Sequence, residues 1–373
     1  NSLKRIVNHR NFHNKQTIYI LDEAHKAGAK GCMKQLREAN RIGTMQACLA
    51  ISGTIHRTDG RCIMDITGHD GYYNGKRKPH IVYGYRDALK DDVIPPFKIH
   101  VYQMSWYDMT YDEQTQYKAL TKQAEIAVSN AYKEHGVERN ELRMAYNAGL
   151  HWVDMANTLY RKRKRLVNSI EMRFTVAEET LMHHASLGHK GILMHESIAG
   201  ITRIKNIMLD NGLEKPYIYH SGDKPEDWDE ATPQELAEWK SYQKNRKGIL
   251  REWLDPRTEE GIMLSVKSLT EGINVPEMDF NMLLSSANSP TGILQAIGRS
   301  LRGNKNEEGQ WVDRYGAPIE HKNIYILVQG GTTDADKIQY AQEEGDIPDE
   351  CFVTYNRING DWVKQAGQHI DAS

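Results

Sequence analysis

The chain has 373 residues, with 48 Lys+Arg set against 50 Asp+Glu and a formal net charge of -2, which excludes a polycation that binds nucleic acid indiscriminately and leaves only a local patch for such binding. Its length passes the ~250 to 300 residues at which a single core stops growing, so two domains are expected. Cys32, Cys48, Cys62 and Cys351 form no CxxC pair, which argues against a zinc site and a disulfide framework and for a reducing compartment.

In chain order, "TIYILDEAHKAG" starts as a buried strand over residues 17–21 and ends in two adjacent carboxylates, Asp22 and Glu23, with His25 close behind. One reading is a strand-to-helix turn in which Asp22 caps a helix and Glu23 faces its dipole; the other is a site that uses both acids. A helix follows through "GCMKQLREANRIG", where Met33, Leu36 and Ala39 recur at helical spacing. A second short apolar run, "ACLAISGT", ends in Ser52, Gly53 and Thr54. Strands alternating with helices imply a parallel sheet with helices on its faces, and ligands then belong at the carboxyl ends of the strands.

From Asp108 to about Ala185 the pattern turns helical and highly charged, which reads as a connector. Its basic run "RKRKR", Arg161 to Arg165, is either a solvated helix face or part of a track for a nucleic-acid backbone. Trp106, Tyr107 and Trp152 could stack on bases or could serve as core. Strands resume at "GILMHE", "YIYHSG", "GIMLSV", "FNMLLSS" and "NIYILVQ" with helical segments between them, which predicts a second α/β domain. "SPTGILQAIGRSLRG" predicts a helix with Gln295, Arg299 and Arg302 on successive turns, the two arginines sharing a face; a pair of solvated arginines is the plainer reading. The expected domains are 1–105, a helical connector 106–185, a second domain 186–330, and an appended, partly ordered segment 331–373. No uninterrupted apolar run approaches the ~20 residues of a membrane span, and the first residues lack the charged and apolar regions of a signal peptide, so a soluble, intracellular protein is expected.

The order DEAH, SGT, "LTEGINVP", QxxGRxxR resembles that of superfamily 2 helicases and translocases. "SGTIHRTDG" followed by "DDVIPPF" is similar to the XPB and phage UvsW type. The resemblance covers roughly residues 15–330 and implies two RecA-like parallel-sheet domains that close over ATP and nucleic acid, in the cytoplasm of a bacterial or phage-infected cell. It implies that Asp22 holds ATP-bound Mg2+ through water and that Glu23 orients or deprotonates the attacking water, while His25 relays nucleotide state toward Ser52, Gly53 and Thr54. Mg2+ demands oxygen ligands, and phosphoryl transfer asks mainly for positioning and charge neutralisation. Arg299 and Arg302 would act as arginine fingers, a role suited to a planar and permanently charged fork, with Gln295 helping to position their helix. Thr270 and Gly272 would meet the nucleic-acid backbone or the nucleotide, as would Asn274, which could instead be a turn residue before Pro276. His220 and Ser221 stand where a nucleic-acid phosphate contact is expected.

The sequence departs from the family pattern in one major respect. It contains no GxxxxGK[ST], so the phosphate-cradling loop, its lysine and its Mg2+-binding hydroxyl are missing from this chain. The first RecA-like domain is therefore expected to be incomplete, with the P-loop segment supplied in cis or in trans. SGT in place of SAT and Ile55 in place of proline are milder departures. The function expected is an ATP-dependent helicase or translocase, on DNA or on RNA with DNA favoured. The alternatives are the motor of a restriction-type complex and a nucleic-acid-binding fragment that does not hydrolyse ATP.

Overall fold

The computed structural model describes residues 17–21, 30–42, 45–52, 72–73, 76–77, 82–143, 145–146, 148–213, 216–220, 233–255, 258, 261–266, 278–285, 290–332 and 334–365. The chain divides into two units, residues 1–88 with 343–347, and residues 89–342 with 348–373.

In the first unit β1 (Thr17–Leu21) lies parallel to β2 (Met45–Ala50), with Leu21 opposite Ala50. Between them runs α1 (Lys30–Arg41), whose Met33, Leu36 and Ala39 fall on one face and form a core with Tyr19. The strands alternate as a half-covered sheet should: Tyr19 is buried beneath α1, while Ile18 and Ile20 on the other face are 64% and 67% exposed. A short antiparallel pair follows, β3 (Tyr72–Tyr73) with β4 (Lys76–Arg77), and then α2 (Tyr85–Lys90), where Arg86 pairs with Asp346 at 3.2 Å.

The second unit is built on an eight-stranded sheet. Its strands are β5 (Phe97–Met104), β6 (Lys190–His195), β7 (Tyr217–Tyr219), β8 (Gly261–Val266), β9 (Phe280–Leu283), β12 (Lys322–Gln329), β13 (Phe352–Ile358) and β14 (Asp361–Lys364), in the spatial order β14-β13-β5-β12-β9-β6-β8-β7. All pairings are parallel except that of β14 with β13. β10 (Asn304–Lys305) and β11 (Trp311–Val312) form a separate small hairpin. The helices are α3 (Tyr111–His135), α4 (His151–Asn168), α5 (Glu171–Ser186), α6 (Ile198–Asp210), α7 (Pro233–Leu254), α8 (Pro290–Ser300) and α9 (Asp334–Gly345). Parallel strands covered on both faces read as continuous apolar runs, and every residue of β6 and β9 is buried. Gly191 of β6 is required where Phe280 of β9 lies against it, since a Cβ there would stand 2.1 Å from the ring.

Each strand read from the sequence is present, but the chain is divided differently from the expectation. β5 does not belong with the first domain: it sits between β13 and β12 in the second sheet, with Phe97, Ile99, Val101 and Met104 buried. α5 is not connector either, because Phe174, Val176, Ala177 and Leu181 pack into the core of that sheet. Residues 334–364 are not a loose appendage, since Phe352 to Asn356 of β13 pair with Ile99 to Gln103 of β5. The connector proper is α3 and α4. α3 starts at a capping box, in which Glu113 N donates to Thr110 Oγ1 and Thr110 N to Glu113 Oε2 at 2.8 Å. It ends at Gly136 in the left-handed region, φ 64°. Ala124, Ala127 and Ala131 on α3 meet Val153, Ala156 and Leu159 on α4; small residues on one helix let the larger ones on its neighbour seat closely.

Candidate functional site

The motif-bearing segments are rooted at carboxyl ends of parallel strands. In the first unit the amide of Ile51 donates to the carbonyl of Leu21 at 2.8 Å, so the residue before Asp22 and the residue before Ser52 are bonded to each other. Ser52 is half-buried. Asp22, Glu23, His25, Gly53 and Thr54 lie outside the described residues, and so do Ser221, Thr270, Gly272 and Asn274. The last three follow the carboxyl end of β8.

In the second unit His220 directly follows β7. Its ring stacks on Tyr242 of α7 with centroids 4.3 Å apart. Its amide donates to the Tyr242 hydroxyl at 3.0 Å, and its carbonyl accepts from Arg246 at 3.3 Å. α7 thus fixes both backbone and ring at the end of β7.

α8 follows β9, and one face of it, Ile293, Leu294, Ala296 and Ile297, is buried. Asn281 of β9 locks its last turn by donating to Ala296 O at 3.1 Å and to Ser300 Oγ at 2.8 Å. Gln295 and Arg299, four residues apart and both half-buried, share another stripe of the helix. Arg302 does not share it. The helix ends at Ser300, and Arg302 is exposed on the turn that leads to β10, where Gly303 lets the Trp311 ring approach to 3.2 Å of its would-be Cβ. The expectation of both arginines on one helix face is corrected accordingly.

Residues 173–304 match the helicase conserved C-terminal domain. The matched residues run from α5 to the start of β10 and include β6 to β9, His220, Gln295, Arg299 and Arg302. A curated relative, "Uncharacterized protein ML1624" of Mycobacterium leprae (strain TN), is 22% identical over 294 residues, covering 77% of this chain and 41% of its own length. The chain therefore spans less than half of that relative. Among solved structures, the fragment of a putative HsdR subunit of a type I restriction enzyme from Vibrio vulnificus YJ016 overlaps 93% of this chain and 49% of its own, with 18% identity and a TM-score of 0.47. The Hef helicase domain of Pyrococcus furiosus overlaps 87% and 73%, with 14% identity and a TM-score of 0.45.

Two features that hold the second unit together were not read from the sequence. The first is Arg173, fully buried at the start of α5. It donates to Val167 O at 2.8 Å, to Leu284 O at 2.8 Å and to Leu327 O at 3.2 Å, and pairs with Asp334 at 3.2 Å. Lys337 adds a contact to Asp334 at 3.3 Å. A guanidinium offers five donors in a fixed fork, so one side chain ties the end of β9, just ahead of α8, to β12 and α9. Burial pulls the Arg173 pKa down, and the neighbouring Asp334 pushes it back up.

The second is a group of rings beneath α5. His184 stacks on Phe280 at 3.9 Å, and its nitrogens lie 2.7 Å from His189 Nδ1 and 2.9 Å from the Tyr325 hydroxyl. Burial, and then the nearby His189, push its pKa down to about 3, so it is neutral at pH 7. Only a histidine in a helix was visible in the sequence, and nothing in it announced the partners.

The basic run on α4 is largely engaged with its own neighbours. Arg161 donates to the Tyr146 hydroxyl at 2.7 Å, Arg163 lies 5.1 Å over the Tyr160 ring, and Lys164 pairs with Glu196 at 3.3 Å. Trp152 packs against the α3–α4 core. Among the described residues no group of three or more His, Cys, Asp or Glu is placed to hold a metal ion, and no helix is long and apolar enough to cross a membrane.

Proposed function

We propose that the chain belongs to an ATP-dependent helicase or translocase motor of the XPB and UvsW-like type, acting on DNA. The observation that carries this reading is positional. The DEAH and SGT segments start from bonded neighbours at the carboxyl ends of β1 and β2, and in the chain His220, the "LTEGINVP" segment and α8 come after β7, β8 and β9. Parallel α/β sheets bind ligands at that end of their strands.

In this proposal Glu23 orients and deprotonates the attacking water, and Asp22 holds Mg2+ through water. The donor set fits, because adjacent carboxylates are the hard oxygen ligands that Mg2+ takes. When bound, the ion neutralises charge on the transferring phosphoryl group. Arg299 and Arg302 stabilise the same charge, with Arg299 set by the Asn281-locked helix. Ser52, Gly53 and Thr54 couple nucleotide state to motion. His220, Ser221, Thr270, Gly272 and Asn274 meet backbone phosphate or nucleotide. The phosphate-cradling loop, absent from this sequence, is assigned to a segment supplied in cis or in trans.

A motor that steps across any sequence must hold the backbone and not base edges. Equilibrium titration of labelled DNA at increasing salt tests this: affinity falls steeply with salt and varies little with sequence. Salt-independent or strongly sequence-selective binding would contradict the proposal.

A further inference from the structure

With a net charge of -2 over its whole length, the chain can bind a polyanion only at a local patch. The basic run Arg161 to Arg165 is largely engaged by Tyr146, Tyr160 and Glu196. α7 holds another. Lys240, Lys244, Lys247 and Arg251 are spaced by four, three and four residues, which puts them on one face of a helix with ~3.6 residues per turn. All four are exposed, and among the described residues none of them forms a salt bridge. The sequence between Lys240 and Arg251 contains no Asp or Glu.

The opposite face of α7 is anchored. Tyr242 holds the ring and amide of His220, and Arg246 donates to the His220 carbonyl. Trp253 is fully buried and donates from Nε1 to Gly261 O at 3.1 Å, at the start of β8. Tyr242, Arg246 and Trp253 also recur at helical spacing, half a turn away from the four basic residues. Packing on that side turns the basic side to solvent, as a row about 16 Å long at ~1.5 Å per residue.

We propose that the face of α7 formed by Lys240, Lys244, Lys247 and Arg251 is a docking surface for the phosphate backbone of a nucleic acid. Among the described residues of α7 no large apolar side chain is exposed. A protein partner is gripped through aromatic and aliphatic anchors, and a membrane-surface helix needs an apolar face to insert; α7 offers neither beside its lysines. A phosphate backbone needs only charge at intervals. B-DNA presents a phosphate every ~3.4 Å along each strand, and ammonium groups on long stems meet phosphates as point charges. Such contacts add affinity without reading bases. The proposal deepens the motor reading, on which the choice of DNA as probe rests, and it uses none of the residues assigned there to ATP or to the backbone.

The test is equilibrium binding of a labelled oligothymidine to the full chain at increasing salt, with no nucleotide present. A variant combining Lys240→Gln, Lys244→Gln, Lys247→Gln and Arg251→Gln changes only exposed positions, so the thermal midpoint should hold. Each lost phosphate contact flattens the slope of log K against log salt by about 0.7 on a single strand. The variant should therefore be shallower by roughly three and bind roughly tenfold more weakly at low salt. Lys240→Arg, Lys244→Arg and Lys247→Arg together keep the charges and should keep the slope. A control takes Lys122, Lys133, Arg143 and Lys364, exposed cations scattered over other segments, to Gln; its net charge matches that of the α7 variant, and it should retain most of the slope. An unchanged slope in the α7 variant, an equal loss in the control, or no binding by the parent chain of oligothymidine or of its duplex with oligoadenine would overturn the proposal. So would binding to phosphatidylserine vesicles that depends on the four residues while oligothymidine binding does not. No readout involves ATP, so failure of the motor reading would leave a positive result standing. DNA-stimulated turnover together with an unchanged slope in the α7 variant would remove α7 and leave the motor reading intact.

Discussion

Ile51 N donates to Leu21 O at 2.8 Å, which bonds the root of the DEAH segment to the root of the SGT segment. The coupling proposed between the two segments would run through this contact. Ile51→Pro removes the donor while keeping an extended backbone at the strand end. In the complete protein it should lower nucleic-acid-stimulated hydrolysis with ATP binding retained. Parallel assays of phosphate release and nucleotide binding decide the point, and equal loss in both would show a merely structural bond.

Arg299 and Arg302 differ in burial, and their alanine variants should differ with it. An arginine finger is worth about 10³ to 10⁵ in rate. Arg302→Ala, at an exposed position, should lower turnover without moving the thermal midpoint. Arg299→Ala should lower both, because its side chain is half-buried on α8. Unchanged turnover in both variants would remove the arginines from the chemistry.

Arg173→Leu should destabilise the second unit by about 3–5 kcal/mol, the range found when one partner of a buried ion pair is removed, with Lys337 still 3.3 Å from Asp334. The carbonyls of Val167, Leu284 and Leu327 would lose the guanidinium, and Asp334 would keep Lys337. Chemical denaturation measures the loss. The double variant Arg173→Leu with Asp334→Asn should recover part of it, since no buried charge then stands alone.

His184 makes stability depend on pH. Its folded pKa, about 3, lies below the ~6.5 of an unfolded histidine, so between those values the unfolded chain binds the extra proton. The stabilisation is complete above about pH 6.5 and declines as pH falls toward 3, by at most ~1.4 kcal/mol per unit. His184→Gln keeps a polar partner for Tyr325 but has no titration in this window. Its unfolding free energy should show a shallower fall over that pH range than the parent chain.

Hydrophobic period made the strands legible, since runs such as "GILMHE" and "NIYILVQ" are buried on both faces and have no other use. The face of α1 was legible for the same reason. Strand partners were not. β5 follows the first unit in sequence, yet it pairs with β12 and β13, which lie more than 200 positions further along, and local pattern cannot carry such long-range pairing. Arg302 was misplaced because the helical period continues past Ser300 on paper, whereas Ser300 and Asn281 close the helix through a contact between α8 and β9.

In the proposed function these residues belong to a nucleic-acid-driven ATPase whose phosphate loop is supplied by another segment. Phosphate release by the purified chain, with and without a P-loop-bearing segment and with single-stranded or duplex DNA present, tests it most directly. Carboxylates repel phosphate unless a metal intervenes and cannot replace the amides and lysine of a P-loop. The expected result is no measurable turnover by the chain alone and DNA-stimulated turnover once the segment is supplied. Glu23→Gln should then reduce that turnover by about 10² to 10⁴ while ATP still binds. Robust turnover by the chain alone, or an unimpaired Glu23→Gln variant, would contradict it.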